Sequence, residues 1–226
     1  MTSSLAVKSK QAPFVMKKIQ LAAIAFAASL SLGHAHDGKD HGSDAQQATA
    51  STVQQVKPKG PPDEATTRNY FTDLPVQSQD GEWRRFYTDL LKDKTVVINF
   101  VYTNCPDACP LQTAKLVQVK NAIGDLFGDR VHFVSISIDP ARDTPAALKA
   151  FAEKQRADHP GWTFITGKKS NIDHIVSKLG QYSDDVDMHS TALLLGNVRT
   201  RHWVKVRPDI PTAALIYQVQ SFAEEG

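Results

Sequence analysis

The sequence predicts an α/β domain, a central mixed sheet flanked by helices, and three observations carry that reading. Thr95-Val-Val-Ile-Asn-Phe-Val101 is almost continuously apolar, as a strand covered on both faces must be. Strand-like and helix-like periods alternate after it, which is the pattern of a layered α/β design. The only two cysteines, Cys105 and Cys109, stand where that first strand hands over to a helix.

The elements follow in order. Phe71 to Val76 reads as a short strand and Asp80-Gly81 as a turn. Trp83 to Leu91 mixes aromatic and polar residues and is expected to pack across the start of the core. A helix should follow the cysteines as far as Phe127, because Leu116, Val119, Ile123 and Leu126 recur at steps of three and four; Gly128 sits where it should stop. Val131 to Ile138 alternates apolar residues with Ser135 and Ser137, a strand signature. Thr144 suits a helix N-cap and Pro145 the first helical position, where a missing N–H costs nothing. Trp162 to Thr166 reads as a strand, Asn171 to Leu179 as a helix and Thr191 to Leu195 as a strand. Gly196-Asn197 is expected to turn the chain into His202 to Val206 as a hairpin. Pro211 opens a last helix ending near Glu224. A long crossover that begins at a cysteine pair is the thioredoxin plan. Free N–H groups and the helix dipole there favour a thiolate.

The N-terminal part reads differently. Lys8, Lys10, Lys17 and Lys18 precede an uncharged apolar run from Ile19 to Gly33, with Gly33 and Ala35 at small-residue positions. That pattern predicts an export signal over residues 1–35, cleaved after Ala35, with Met16 a candidate true start. An uncleaved anchor is the alternative; the run is short against the roughly 20 residues a bilayer needs. Removing those four lysines from 26 basic residues leaves 22 against 24 acidic ones, a net charge of −2. The apparent basicity is therefore a targeting feature, and no basic run points to nucleic acid. Residues 36–64 read as a flexible linker and 65–226 as the folded domain. His34, His36 and His41 invite a metal reading, but a tether supplies no fixed geometry.

Export permits a disulfide, and two sulfurs this close support either redox chemistry or a soft metal. Three residues separate them, Pro106, Asp107 and Ala108, where a dithiol motif usually has two; the wider spacing leans toward a metal. Two thiolates would select Cu(I), or Zn(II) with further ligands. With no other cysteine in the chain, a third donor has to be histidine, methionine or carboxylate. His189, in Asp187-Met188-His189-Ser190, is the best placed, 80 residues beyond Cys109 at the start of a predicted strand. That strand should lie beside the one that delivers the cysteines. A surface or hydrogen-bonded histidine is the plain alternative. Nothing suggests a phosphate-binding loop, a hydrolase triad or a small-molecule substrate.

Tyr102-Thr103 with Cys105-Pro-Asp-Ala-Cys109-Pro110, Ser137-Ile-Asp139-Pro-Ala-Arg142-Asp143-Thr144, Phe164-Ile-Thr166-Gly167 and His189-Ser190 together resemble the Sco/SenC family over residues 65–226. The resemblance implies a thioredoxin-like domain facing the periplasm that binds one copper, as Cu(I) or Cu(II), through Cys105, Cys109 and His189. It implies delivery of copper to the dinuclear site of cytochrome c oxidase, or reduction of that site's cysteines. The partner is then the copper-bearing oxidase subunit or another periplasmic cysteine-containing protein. Asp139 is implied to tune a ligand from nearby. The chain departs from the family at Met188, where an aspartate is usual, at Leu194, where an aromatic is usual, and in the short stretch between Leu179 and His189. The usual membrane anchor is not evident either. An oxidoreductase that reduces a partner's cysteines, with Cys105 and Cys109 as the redox pair and no obligatory metal, is the competing function.

Overall fold

The computed structural model describes residues 63–186 and 189–225, and the expected signal and nearly all of the expected linker lie outside them. The chain builds a seven-stranded mixed sheet in the order β2-β1-β5-β4-β3-β6-β7, where β1 is Pro75–Ser78, β2 Trp83–Arg85, β3 Thr95–Val101, β4 Val131–Ser137, β5 Trp162–Thr166, β6 Leu193–Asn197 and β7 His202–Val206. The pairs β3–β4 and β4–β5 are parallel, and the rest are antiparallel. Every residue of β3 is buried, as its unbroken apolar run requires of a central strand.

Two apolar layers cover the sheet. On one face lie α2 (Ala108–Ile123), α3 (Pro145–Lys154) and α5 (Thr212–Glu224), which bury Leu116, Leu148, Phe151, Leu215 and Val219 against Val97, Phe133 and Phe164. On the other lie α1 (Glu64–Phe71), one π-helical turn at Phe86–Leu91 and α4 (Lys169–Lys178), which pack Phe71, Phe86, Ile172 and Ile175 against Val96, Ile98 and Val134. Thr144 caps α3 through its hydroxyl, which accepts from the Ala147 N–H, and Pro145 opens that helix as expected.

The structure differs from expectation in three places. Phe71 ends α1 instead of opening a strand, because Asp63 caps that helix by accepting from the Thr66 N–H; β1 begins four residues later. The helix after the cysteines stops at Ile123, where Gly124 takes a positive φ of 55°, and a short 3-10 turn carries the chain to Leu126. Gly196 and Asn197 are not the hairpin turn but the buried end of β6. Gly196 is needed because the Trp203 ring lies on its backbone; a Cβ there would stand 2.3 Å from that ring. The Asn197 side chain accepts from the Arg199 and Thr200 N–H groups and donates to the Phe222 carbonyl, tying the true turn to α5.

Candidate metal centre

The site begins at the C-terminal end of β3. β4 pairs with β3 through to Val101, and on the other side β6 runs antiparallel to it as far as Ile98, opposite Leu194. This pairing places the segment before β6, and so His189, beside the loop that leaves β3, as the sequence reading expected.

Three interactions shape the cysteine loop. The Cys105 N–H donates to the Tyr102 carbonyl at 3.1 Å, forming a tight turn. Thr103 donates its N–H and, at 2.6 Å, its hydroxyl to the carboxylate of Asp143, which also accepts from Ser137 at 2.6 Å. Asp143 is 1% exposed, and its donors come from β4 and from the cysteine loop, so it pins the loop to the sheet. Asp107 occupies the N-cap position of α2 without a side-chain cap bond. The Cys105 sulfur serves instead: the Cys109 N–H, a donor left free at the helix start, donates to it at 3.2 Å.

The two thiols are free, buried and unequal. Burial alone would raise the Cys105 thiol, but hydrogen bonds from the Cys109 thiol, the Cys109 and Asp107 backbone and the Tyr102 side chain overcome it, and the net shift is downward. Cys109 is pushed up to about 12, first by deeper burial and then by the neighbouring Cys105. Cys105 is therefore the easier of the two thiols to ionise, and Cys109 the one that holds its proton more tightly.

His189 is half-buried, with its ring edge against that of Tyr102 (centroids 5.6 Å apart, interplanar angle 83°). Its Nδ1 faces the Val186 carbonyl at 2.5 Å. A carbonyl can only accept, so Nδ1 carries the proton and Nε2 the lone pair. Nε2 is buried and has no hydrogen-bond partner among the described residues. A backbone carbonyl on one ring nitrogen with the other held free is how metal-binding imidazoles are usually oriented. Asp139 lines the same small cavity as His189, about 100 Å³ in volume, in front of α4; its carboxylate is bound by Arg142 at 3.2 Å.

The donor set suits a soft cation, two thiols and one available imidazole nitrogen. The described residues bring these donors to one edge of the sheet without gathering them round one point: no three His, Cys, Asp or Glu side chains among them stand close enough to share an ion. Cys105 opens into a cleft with Pro106, Pro110 and Phe151 beside α3, and His189 opens toward α4, with Tyr102 in contact with both residues. Met188 lies outside the described residues.

Sequence reasoning gave no role to Tyr102, Asp143 or Gln112. Gln112 donates to the Thr191 carbonyl and accepts from Asn99, which is hydrogen-bonded in turn to Ser135 and through it to Trp162. This buried chain fixes the strand end that follows His189. Its only signal was Asn99, a lone amide inside an apolar run.

The sequence model of the SCO1/SenC family matches residues 72–223. A SCO1 protein homolog of Bacillus subtilis is 32% identical over 103 residues, which are 45% of this chain and 52% of that protein. The chain spans about half the length of the curated relatives it matches. Bradyrhizobium japonicum ScoI, solved with copper bound, superposes with a TM-score of 0.55 at 24% identity over 66% of this chain and 96% of that one. BsSco, described as having a disulfide switch and as a member of the Sco family of cytochrome c oxidase assembly proteins, superposes with a TM-score of 0.59 at 23% identity over 69% and 94%. These likenesses establish the thioredoxin-like fold. No helix among the described residues is long and apolar enough to cross a membrane.

Proposed function

We propose, from the premise that this chain belongs to the SCO1/SenC family, that it is an exported copper-binding metallochaperone of the periplasm. It takes one copper through Cys105, Cys109 and His189 and passes it to the copper site of cytochrome c oxidase. The observation that carries this reading is the His189 ring: Val186 fixes its tautomer and leaves Nε2 buried with a lone pair and, among the described residues, nothing to accept from. Such an atom is costly unless something fills the place.

Copper, the cargo, supplies a soft cation that both sulfurs and an imidazole can hold. The chain's own residues prepare for it. Cys105 is the entry ligand, since its proton is the easier to lose. Cys109 must give up a proton held to about 12, so uptake releases that proton to solvent. Asp143 and Tyr102 hold the loop through the exchange, and His189 approaches from the side of α4. Oxidation of the pair to a disulfide removes both sulfur donors, so loading belongs to the reduced form.

The inequality of the two thiols supports a second reading, reduction of a partner's disulfide. The Cys105 thiolate would attack one partner sulfur and expel the other as a thiol. Cys109, losing its proton, would then close on Cys105 and release the second partner thiol. Copper titration of the reduced protein separates the two. We expect one copper per monomer, a sulfur-to-copper absorption band with Cu(II), large loss of binding in His189→Ala and abolition in Cys105→Ser. Equal uptake by wild type and His189→Ala would overturn the three-ligand assignment.

A further inference from the structure

The sheet face opposite the cysteines holds a cleft of about 440 Å³ between α1, the end of α4 and the β6–β7 hairpin, a size typical of small-molecule sites. Its floor is apolar and fixed. Trp203 lies on the bare backbone of Gly196 and packs its ring against Phe71, with centroids 4.9 Å apart. Leu194 completes the floor, and Tyr70, 61% exposed, stands at the wall.

The rim is cationic. Lys178, Arg201 and Lys205 line the cleft, and among the described residues no carboxylate lines it and none of the three is ion-paired. Two of these have ordinary structural explanations: Lys178 sits in the last turn of α4, where the helix dipole favours a cation, and Lys205 guards an edge strand. Arg201 has none. It occupies the hairpin turn at φ 61°, in the left-handed region where glycine or asparagine would sit more easily. A cation is kept there against the backbone's preference, beside an apolar cleft. Lys205 pairs across the strands with Leu194, and so projects from the face that carries the floor.

We propose that this cleft binds an amphipathic anion: a free aliphatic carboxylate whose chain lies on Trp203, Phe71 and Leu194 and whose head meets Arg201 and Lys205. An apolar floor alone would admit any hydrophobe, and a basic rim alone any anion. Both features in one small concavity select a molecule that has both parts. The site is separate from the cysteine loop and independent of copper.

The probe is monomeric dodecanoate, titrated below its micelle concentration into the purified, exported full chain, with tryptophan emission as the readout. Trp203 reports directly, Trp162 is buried and Trp83 stands elsewhere on the surface, so Trp203→Phe identifies the signal. We expect saturable one-to-one binding and about tenfold or greater preference over dodecyltrimethylammonium, the cationic control. Arg201→Gly with Lys205→Gln should weaken dodecanoate about tenfold, as expected for losing two charge-assisted contacts. Glycine suits the Arg201 backbone, so this variant should fold at least as well as wild type, and its copper uptake should be unchanged. Equal affinity for the cationic control, undiminished binding by the double variant, or no saturable response would overturn the proposal. So would sedimentation with phosphatidylglycerol vesicles, lost in the double variant, without any response to monomeric dodecanoate; the face would then be a membrane-docking surface.

Discussion

The Cys109 N–H donates to the Cys105 sulfur at 3.2 Å, so one cysteine caps the helix whose first turn holds the other. Together with the other hydrogen bonds to Cys105 and the deeper burial of Cys109, this bond makes unequal two thiols four residues apart. With Cys105 lowered and Cys109 near 12, iodoacetamide at pH 8 should modify Cys105 in the folded, reduced protein and reach Cys109 only on unfolding. Mass spectrometry of peptides after timed quenching checks this; equal labelling of both would contradict the assigned inequality.

Tyr102 touches both halves of the proposed site, through its hydrogen bond to Cys105 and its ring contact with His189. Tyr102→Phe keeps the ring and removes the hydroxyl. The pH midpoint for Cys105 alkylation should move upward, because a bond that favours the thiolate is gone. Copper affinity should fall severalfold while thermal stability changes by less than about 1 kcal/mol, the scale of one hydrogen bond.

Asp143 is the buried anchor of the loop, with donors from Thr103 and Ser137. Asp143→Ala leaves those donors unpaired in the interior, and urea unfolding should show a loss of about 2–4 kcal/mol. Asp143→Asn, which still accepts hydrogen bonds, should lose less than half as much.

His132 on β4 has its pKa lowered, first by burial and then by Lys94, and its Nδ1 has no partner among the described residues. The folded chain therefore resists a proton that the unfolded chain accepts near its ordinary value of 6.5. The unfolded state binds more protons in the window below 6.5, so stability should fall as pH drops through it and be flat above. His132→Gln should remove that component of the acid slope in unfolding measured from pH 7.5 to 5.

Gly196 has a neutral role in the chemistry and a strict one in packing. Gly196→Ala puts a methyl group 2.3 Å from the Trp203 ring. The ring must lift from the sheet, at a cost of about 1–3 kcal/mol, with a red shift of its emission as it enters water. Copper uptake should persist, because the cysteine loop stands on the opposite face of the sheet.

Much of this protein can be read along the chain. Burial on both faces makes β3 an unbroken apolar run, and the Thr144-Pro145 pair announces α3, because both signals are local. Two of the boundaries that failed were decided by residues outside the misread segment. Gly196 resembles a turn residue until Trp203, seven positions on, is seen lying over it. Phe71 resembles the start of a strand until Asp63 is seen capping a helix in front of it. The same limit governs the site. Residue type and spacing selected Cys105, Cys109 and His189 as candidate donors, expected at adjoining strand ends. Only the tertiary structure made the sulfurs unequal, set Nδ1 of His189 against Val186 and buried Asp143 beneath the loop. Those properties come from burial, hydrogen bonds and charges between residues far apart in sequence, and no local pattern encodes them.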